Sequence, residues 1–156
     1  YLRVALVHEP EILEPALRNT GPAVGLECVL LEARHPGCTI ASLGEFQYGI
    51  AHKQRLSDKK VDITLPDIDV QQAEVILVDD MISTGHTMLE TAVKLFELGA
   101  TSINCLVTHA LHEEQVNQML SQAGIRSIWS TDSIMKPQNV IQLDSLLAEG
   151  VRPLMV

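Results

Sequence analysis

The feature that most constrains the fold is a run of four aliphatic residues followed directly by two acids. Residues 75–78 are Val-Ile-Leu-Val, and Asp79 and Asp80 come next. An uninterrupted aliphatic run is typical of a strand that is buried on both faces of its sheet. Such strands belong to parallel sheets, because crossover connections place helices on the two faces. The run therefore predicts an α/β protein with a central strand over 75–78 and a loop over 79–87.

Hydrophobic spacing in the rest of the chain predicts the same architecture. Helical spacing over 88–98 and 112–123 is followed in each case by a glycine, Gly99 or Gly124, which is a helix-stop signal. Further strands are predicted over 2–7, 46–51, 61–65, 102–108, 125–129 and 140–143, and helices over 11–18 and 144–149, with 27–33 undecided between the two. Alternating strands and helices imply crossover connections, and hence an open parallel sheet flanked by helices.

Composition excludes several classes of function. The chain has 156 residues, enough for one domain, and its 20 acidic residues outnumber 11 basic ones. That balance argues against a nucleic-acid partner, whose binding rests on phosphate neutralisation by Lys and Arg. No stretch approaches 18 apolar residues, so we expect no membrane partner. The first residues lack the plan of a signal peptide, and three sparse cysteines suit a reducing cytoplasm, which is the expected location.

The segment after the aliphatic run has the composition of an anion site. Asp79 and Asp80 close a buried strand at its carboxyl end, where open parallel sheets bind their ligands. The residues that lead into the next helix are Ser83, Thr84, Gly85, His86 and Thr87. Backbone N–H groups at a helix N-terminus, together with small hydroxyls, can cradle a phosphate. Acids for sugar hydroxyls beside such a cradle suit a sugar phosphate. The alternative is an ordinary turn in which Ser83 or Thr84 caps the helix.

A second charged segment lies upstream, between the strands predicted over 46–51 and 61–65. Residues 52–60 are polar, and Lys53 and Arg55 are two positions apart. In an extended chain residues at this spacing share a face. Two cations on one mobile flap could close on a triphosphate and stabilise charge that develops during phosphoryl transfer. The alternative is a solvated hairpin loop without a catalytic role.

Two histidines are candidate metal ligands. His109 and His112 are three residues apart and precede Glu113 and Glu114. Such a group could bind a metal from the start of a helix, but no carboxylate has a decisive spacing. We therefore predict no protein metal site, with His109 at the sheet edge and His112 on the surface. Cys105 lies in an apolar segment and is predicted to be part of the core.

The segment VILVDDMISTGHT, residues 75–87, resembles the phosphoribosyl-diphosphate binding motif of type I phosphoribosyltransferases. This resemblance implies a phosphoribosyltransferase-like fold. It also implies that Asp79 and Asp80 face the ribose 2- and 3-hydroxyls and that residues 83–87 wrap the 5-phosphate. Two residues depart from the pattern: Ser83 stands where many members have Asp, and His86 stands where Gly is usual.

With the Lys-x-Arg segment included, residues 41–150 resemble the C-terminal half of ribose-phosphate diphosphokinases, enzymes of nucleotide biosynthesis. The resemblance implies transfer of diphosphate from ATP to ribose 5-phosphate, with Mg²⁺ as cofactor and a homo-oligomeric assembly. It makes Lys53 the catalytic lysine and lets Arg55 contact a substrate phosphate. Residues 1–40 do not resemble these enzymes, so we predict an unassigned segment over 1–40 and a phosphoribosyltransferase-type domain over 41–156.

Two alternatives to diphosphate transfer from ATP stay open from the sequence. One is a phosphoribosyltransferase that consumes phosphoribosyl diphosphate and attaches a base, which Ser83 would suit where no acidic base is needed. The other is a regulatory subunit that binds a sugar phosphate without turnover. Lys53 and Arg55 argue against the regulatory subunit, whereas the lack of a recognisable ATP-binding half argues for it.

Overall fold

The computed structural model describes residues 26–30, 47–57, 60–136 and 139–152. Within these ranges the strands are β1 (Leu26–Leu30), β2 (Gln47–Ile50), β3 (His52–Ser57), β4 (Lys60–Thr64), β5 (Glu74–Ile82), β6 (Ser102–Ala110), β7 (Ile125–Thr131) and β8 (Asn139–Ile141). The helices are α1 (His86–Glu97), α2 (Glu114–Gln122) and α3 (Asp144–Val151). None of these helices is long and apolar enough to cross a bilayer.

Six of the strands form one sheet, in the order β2-β1-β5-β6-β7-β8. Every neighbouring pair is parallel, which confirms the predicted sheet. The segment that the sequence left undecided, 27–33, supplies strand β1, and β1 lies between β2 and β5. Five residues of the segment 1–40 thus belong to the sheet, while the elements predicted over 2–7 and 11–18 lie outside the described residues.

The central strand β5 is longer than predicted. The predicted loop over 79–87 is wrong except at residues 83–85. His86 and Thr87 already belong to α1, and β5 runs from Glu74 to Ile82, so that Asp79 and Asp80 are strand residues. The reason is the neighbouring strand β6, whose backbone pairs with β5 as far as Ile82 opposite Ala110. Backbone pairing satisfies N–H and C=O groups whatever the side chains are, so the hydrophobic pattern could not reveal this extension.

Apolar side chains between the sheet and α1 form the core. Val75 and Leu77 of β5 and Ile103 and Cys105 of β6 are fully buried, as an aliphatic central strand predicts. Helix α1 buries one face, formed by Met88, Thr91, Ala92 and Leu95. Gly99 follows the helix with a φ of 98°, which confirms the predicted stop, because glycine tolerates this left-handed conformation.

The other two strands, β3 and β4, form an antiparallel hairpin that contacts α1. The Lys94 ammonium of α1 donates a hydrogen bond to the carbonyl oxygen of Ile63 and lies 3.5 Å from a carboxylate oxygen of Asp62. The Ile63 side chain is 2% exposed and belongs to the core. Burial of Ile63 anchors the hairpin more strongly than the ion pair, since exposed ion pairs contribute little.

The polar segment 52–60, which lies between the predicted strands 46–51 and 61–65, forms a strand of its own, β3, over residues 52–57. Lys53 stands opposite Ile63, and Arg55 stands opposite Val61. Polar composition indicated a loop, but pairing with β4 supplies the backbone hydrogen bonds that a strand needs. The hairpin tip, residues 58–59, lies outside the described residues.

Gly85 joins β5 to α1 and packs against α2. Its φ is 75°, and a Cβ at this position would lie 2.6 Å from Val116 Cγ1 and 2.9 Å from Met119 Cε. Both the backbone conformation and the lack of space therefore require glycine.

We expect Gly85→Ala to lower the free energy of unfolding by about 1–3 kcal/mol, from backbone strain and overlap with α2. Urea unfolding followed by circular dichroism measures the change. The matched control is Gly150→Ala in α3, where a Cβ meets no atom within 4 Å. That variant should leave stability unchanged or raise it by up to about 1 kcal/mol. Equal effects at the two positions would contradict the packing described.

Cys105 should be an unreactive thiol. Burial, and to a lesser extent the negative charge of Asp79, raises the pKa of Cys105 to about 12. Because the thiolate is the reactive form, iodoacetamide at pH 8 should label Cys105 slowly in the folded protein and readily in urea. Peptide mass spectrometry measures both rates, and equal labelling in the two conditions would refute this burial.

Candidate functional site

The candidate site lies at the carboxyl edge of the sheet, where β1 and β5 meet. Strand β1 has β2 on one side and β5 on the other, and the sheet continues from β5 through later strands of the chain. This reversal of strand order is a topological switch point, the place where open α/β sheets form a crevice for ligands. The last described pair between β1 and β5 is Leu30 with Val78. Asp79 and Asp80 follow Val78 directly, near the carboxyl end of β5.

The two acids differ in their local surroundings. Both are half-buried residues near the carboxyl end of β5. The backbone N–H of Asp80 donates a hydrogen bond of 2.8 Å to Asp79 Oδ1. Asp79 also acts on the neighbouring strand, since its charge contributes to the raised pKa of Cys105. The acidic pair thus places two carboxylates at the switch point, one of them held by the backbone.

The loop after β5 presents the positive end of α1. Ser83, Thr84 and His86 are exposed, Gly85 is buried, and Thr87 is half-buried. The residue at the N-cap of α1 is Gly85, with no side-chain hydrogen bond to the cap and no acid in the first turn. The alternative in which Ser83 or Thr84 caps the helix is therefore wrong. A helix N-terminus without a carboxylate of its own is suited to an external anion.

A cavity of about 470 Å³ lies beside this loop. One wall is formed by the loop and the other by the connection from β6 to α2 and by α2 itself. The lining residues are Ser83, Thr84, His86, Leu111, His112, Glu113, Gln115, Val116 and Met119. Its volume is in the range of small-molecule sites. The sequence predicted the first wall only, because the second comes from residues about thirty positions away that carry no motif of their own.

The two histidines that follow β6 have different surroundings. His109 is half-buried near the end of β6, as predicted, and its Nδ1 lies 2.8 Å from Ser133 Oγ. His112 was predicted on the surface, which is wrong, since it is 2% exposed. The Asn117 side chain contacts its ring, and the Lys136 ammonium donates to its backbone carbonyl oxygen. In the described part of the chain, no three His, Cys, Asp or Glu residues are grouped to hold a metal.

Lys53 and Arg55 occupy alternate positions of β3. The hairpin that carries them contacts α1 through Ile63 and Lys94. It is therefore attached to the helix whose first turn forms part of the candidate site. Their proposed contacts with substrate stay a prediction.

Sequence comparison identifies a protein family and several relatives of this chain. The sequence profile of the phosphoribosyl transferase domain matches residues 17–132. The chain is 36% identical over 126 residues to "Ribose-phosphate pyrophosphokinase 2" of Archaeoglobus fulgidus, covering 81% of this chain and 44% of that protein. It is 35% identical over 122 residues to the ribose-phosphate pyrophosphokinase of Methanopyrus kandleri, covering 78% and 42%. The chain thus spans less than half the length of these two relatives. These matches confirm the resemblance to ribose-phosphate diphosphokinases that the sequence analysis described.

Solved structures share the fold. Phosphoribosylpyrophosphate synthetase from Mycobacterium smegmatis superposes with a TM-score of 0.71 at 24% identity, over 94% of this chain and 50% of that one. Adenine phosphoribosyl transferase from Trypanosoma brucei superposes with a TM-score of 0.62 at 16% identity, over 83% and 65%. At these identities the likeness concerns the fold alone, and it confirms the predicted fold class. The profile match over residues 17–132, which is most of the chain, shows that the chain belongs to the phosphoribosyl transferase domain family.

Proposed function

We propose that the protein is a ribose-phosphate diphosphokinase, which transfers the β,γ-diphosphoryl group of ATP to the 1-hydroxyl of ribose 5-phosphate. The products are phosphoribosyl diphosphate and AMP. The observation that carries the proposal is the start of α1, whose N-cap is Gly85 and whose first turn has no acid, shortly after two carboxylates at the switch point. The relatives named ribose-phosphate pyrophosphokinase support the choice of reaction.

The ribose phosphate would be held at two points. Asp79 and Asp80 accept hydrogen bonds from the ribose hydroxyls, since ionised carboxylates can only accept. The 5-phosphate binds to the loop of residues 83–87, where backbone N–H groups and hydroxyls meet the positive end of α1. Two anchors on one small molecule fix the direction of its 1-hydroxyl. Such positioning supplies a large share of the acceleration in phosphoryl-type transfer.

Charge that develops on the transferred group would be stabilised by Lys53 and Arg55. In the reaction a bond forms from the ribose 1-oxygen to the β-phosphorus, and the bond from that phosphorus to the oxygen of AMP breaks. Two cations facing the moving group lower the energy of this charge redistribution. Contact of the hairpin with α1, through Ile63 and Lys94, supports a location of both cations near the loop.

Mg²⁺ is the proposed cofactor, and the chemistry of the acidic pair fits it. Mg²⁺ is usually held by one or two carboxylates together with substrate phosphates, and Asp79 and Asp80 could supply such carboxylates at the edge of β5. When bound, the ion neutralises charge on the diphosphate and on the departing AMP. We further propose ribose 5-phosphate and ATP as partners, a homo-oligomeric assembly, and a cytoplasmic location.

Lys53→Ala should reduce turnover by about a hundredfold or more, because one stabilising cation is lost from the transition state. Binding of ribose 5-phosphate should stay within about twofold of the parent, since the lysine is assigned to the transferred group. AMP formation measured by chromatography and ribose 5-phosphate binding measured by calorimetry test both parts. Lys60→Ala, in the same hairpin, is the matched control and should retain turnover. Equal turnover in the Lys53 variant and the parent would exclude the assigned role.

The nature of the donor separates diphosphate transfer from the alternatives. With ATP and ribose 5-phosphate alone, we expect AMP and phosphoribosyl diphosphate in equal amounts, with no need for a nucleobase. Mass spectrometry of the products after incubation with Mg²⁺ measures both. Release of pyrophosphate only when phosphoribosyl diphosphate and a base are supplied would instead identify a phosphoribosyltransferase. Binding of ribose 5-phosphate without product would indicate a regulatory subunit.

A further inference from the structure

His112 lies in the wall of the 470 Å³ cavity that faces the 83–87 loop. It is 2% exposed, although it belongs to a connection between a strand and a helix. Its backbone carbonyl oxygen accepts a hydrogen bond of 2.8 Å from Lys136 Nζ. Hydrogen bonds thus hold both the backbone and the ring of this residue. Ser83, Thr84 and His86 line the opposite side of the same cavity.

A chain of hydrogen bonds determines which ring nitrogen carries the proton. Asn117 Nδ2 donates a hydrogen bond of 3.0 Å to Glu114 Oε2, and because a carboxylate only accepts, this contact orients the amide. Asn117 Oδ1 then lies 2.6 Å from His112 Nε2 and accepts from it. In the neutral ring Nε2 therefore holds the hydrogen, and Nδ1 has the free lone pair.

Nδ1 is the unusual atom of this chain of contacts. It is buried and has no hydrogen-bond partner among the residues that the structure describes. Buried polar atoms without a partner are rare, because each costs the free energy of its lost hydration. The ring is held in place, and its unpartnered nitrogen belongs to a residue that lines a cavity beside the 83–87 loop. This arrangement suggests that a bound ligand supplies the missing hydrogen-bond partner of Nδ1.

We propose that His112 Nδ1 contacts the phosphate of the bound sugar phosphate, opposite the backbone N–H groups of the loop; this inference rests on the proposed function. A phosphate monoester that carries one proton can donate its O–H to the lone pair of Nδ1, which gives this nitrogen the hydrogen bond that it lacks. The surrounding ionisable groups are His86 on the loop, Glu113 on the cavity, Glu114 behind Asn117, and Lys136 at the carbonyl. His112 thereby adds a contact from the opposite wall of the cavity to the backbone N–H groups and hydroxyls of residues 83–87.

The test uses two isosteric substitutions. His112→Gln places an amide where Nε2 lies and keeps a donor for Asn117, but it has no group at the position of Nδ1. His112→Asn does the reverse. We expect the Gln variant to bind ribose 5-phosphate about tenfold more weakly and the Asn variant to stay within about threefold of the parent. Calorimetry measures both affinities, and urea unfolding shows whether each variant is folded.

Inorganic phosphate serves as a second probe, since it has the phosphate without the sugar. A parallel loss of phosphate affinity in the Gln variant supports the contact. Parent-like affinity for ribose 5-phosphate in the folded Gln variant overturns it and leaves the proposed function intact. A loss with ribose 5-phosphate but none with phosphate places the contact on the sugar and also overturns it. Failure of the parent protein to bind ribose 5-phosphate would contradict the proposed function together with this inference.

Discussion

The backbone ladder between β5 and β6 is the constraint on which the site depends. It continues past the two acids to Ile82 opposite Ala110. Pairing with β6 therefore holds Asp79 and Asp80 in a strand at the carboxyl edge of the sheet. Three residues after β5, the chain reaches Gly85, which is the N-cap of α1. Two carboxylates and the start of a helix are thus positioned by a strand that pairs with β6 rather than by a loop.

Packing of Gly85 on α2 joins the two walls of the cavity. Because a side chain at this position would overlap Val116 and Met119, the loop can approach α2 only with glycine present. The close approach brings the connection from β6 to α2, with the buried His112, to the far side of the cavity. One turn residue therefore determines both the direction of α1 and the shape of the space beside its first turn.

Much of the fold and one wall of the site could be predicted from the sequence. Aliphatic runs and helical spacing show which positions are buried, and the buried positions in turn predict the strands and helices. Strand ends were less accurate: the ladder extends β5 through two acids, and β3 forms from a charged segment because β4 pairs with it. The burial of His112 was missed because it arises from contacts with Asn117 and Lys136, which no local pattern encodes. Side-chain patterns record burial but not which distant residues cover a position.

The most direct test of the site is a crystal structure of the protein with ribose 5-phosphate bound. The phosphate should lie within hydrogen-bond distance of backbone N–H groups in residues 83–87, at the start of α1, with the ribose hydroxyls on Asp79 and Asp80. Electron density for the sugar phosphate at another place, with none at the start of α1, would contradict the assignment of this edge of the sheet as the substrate site.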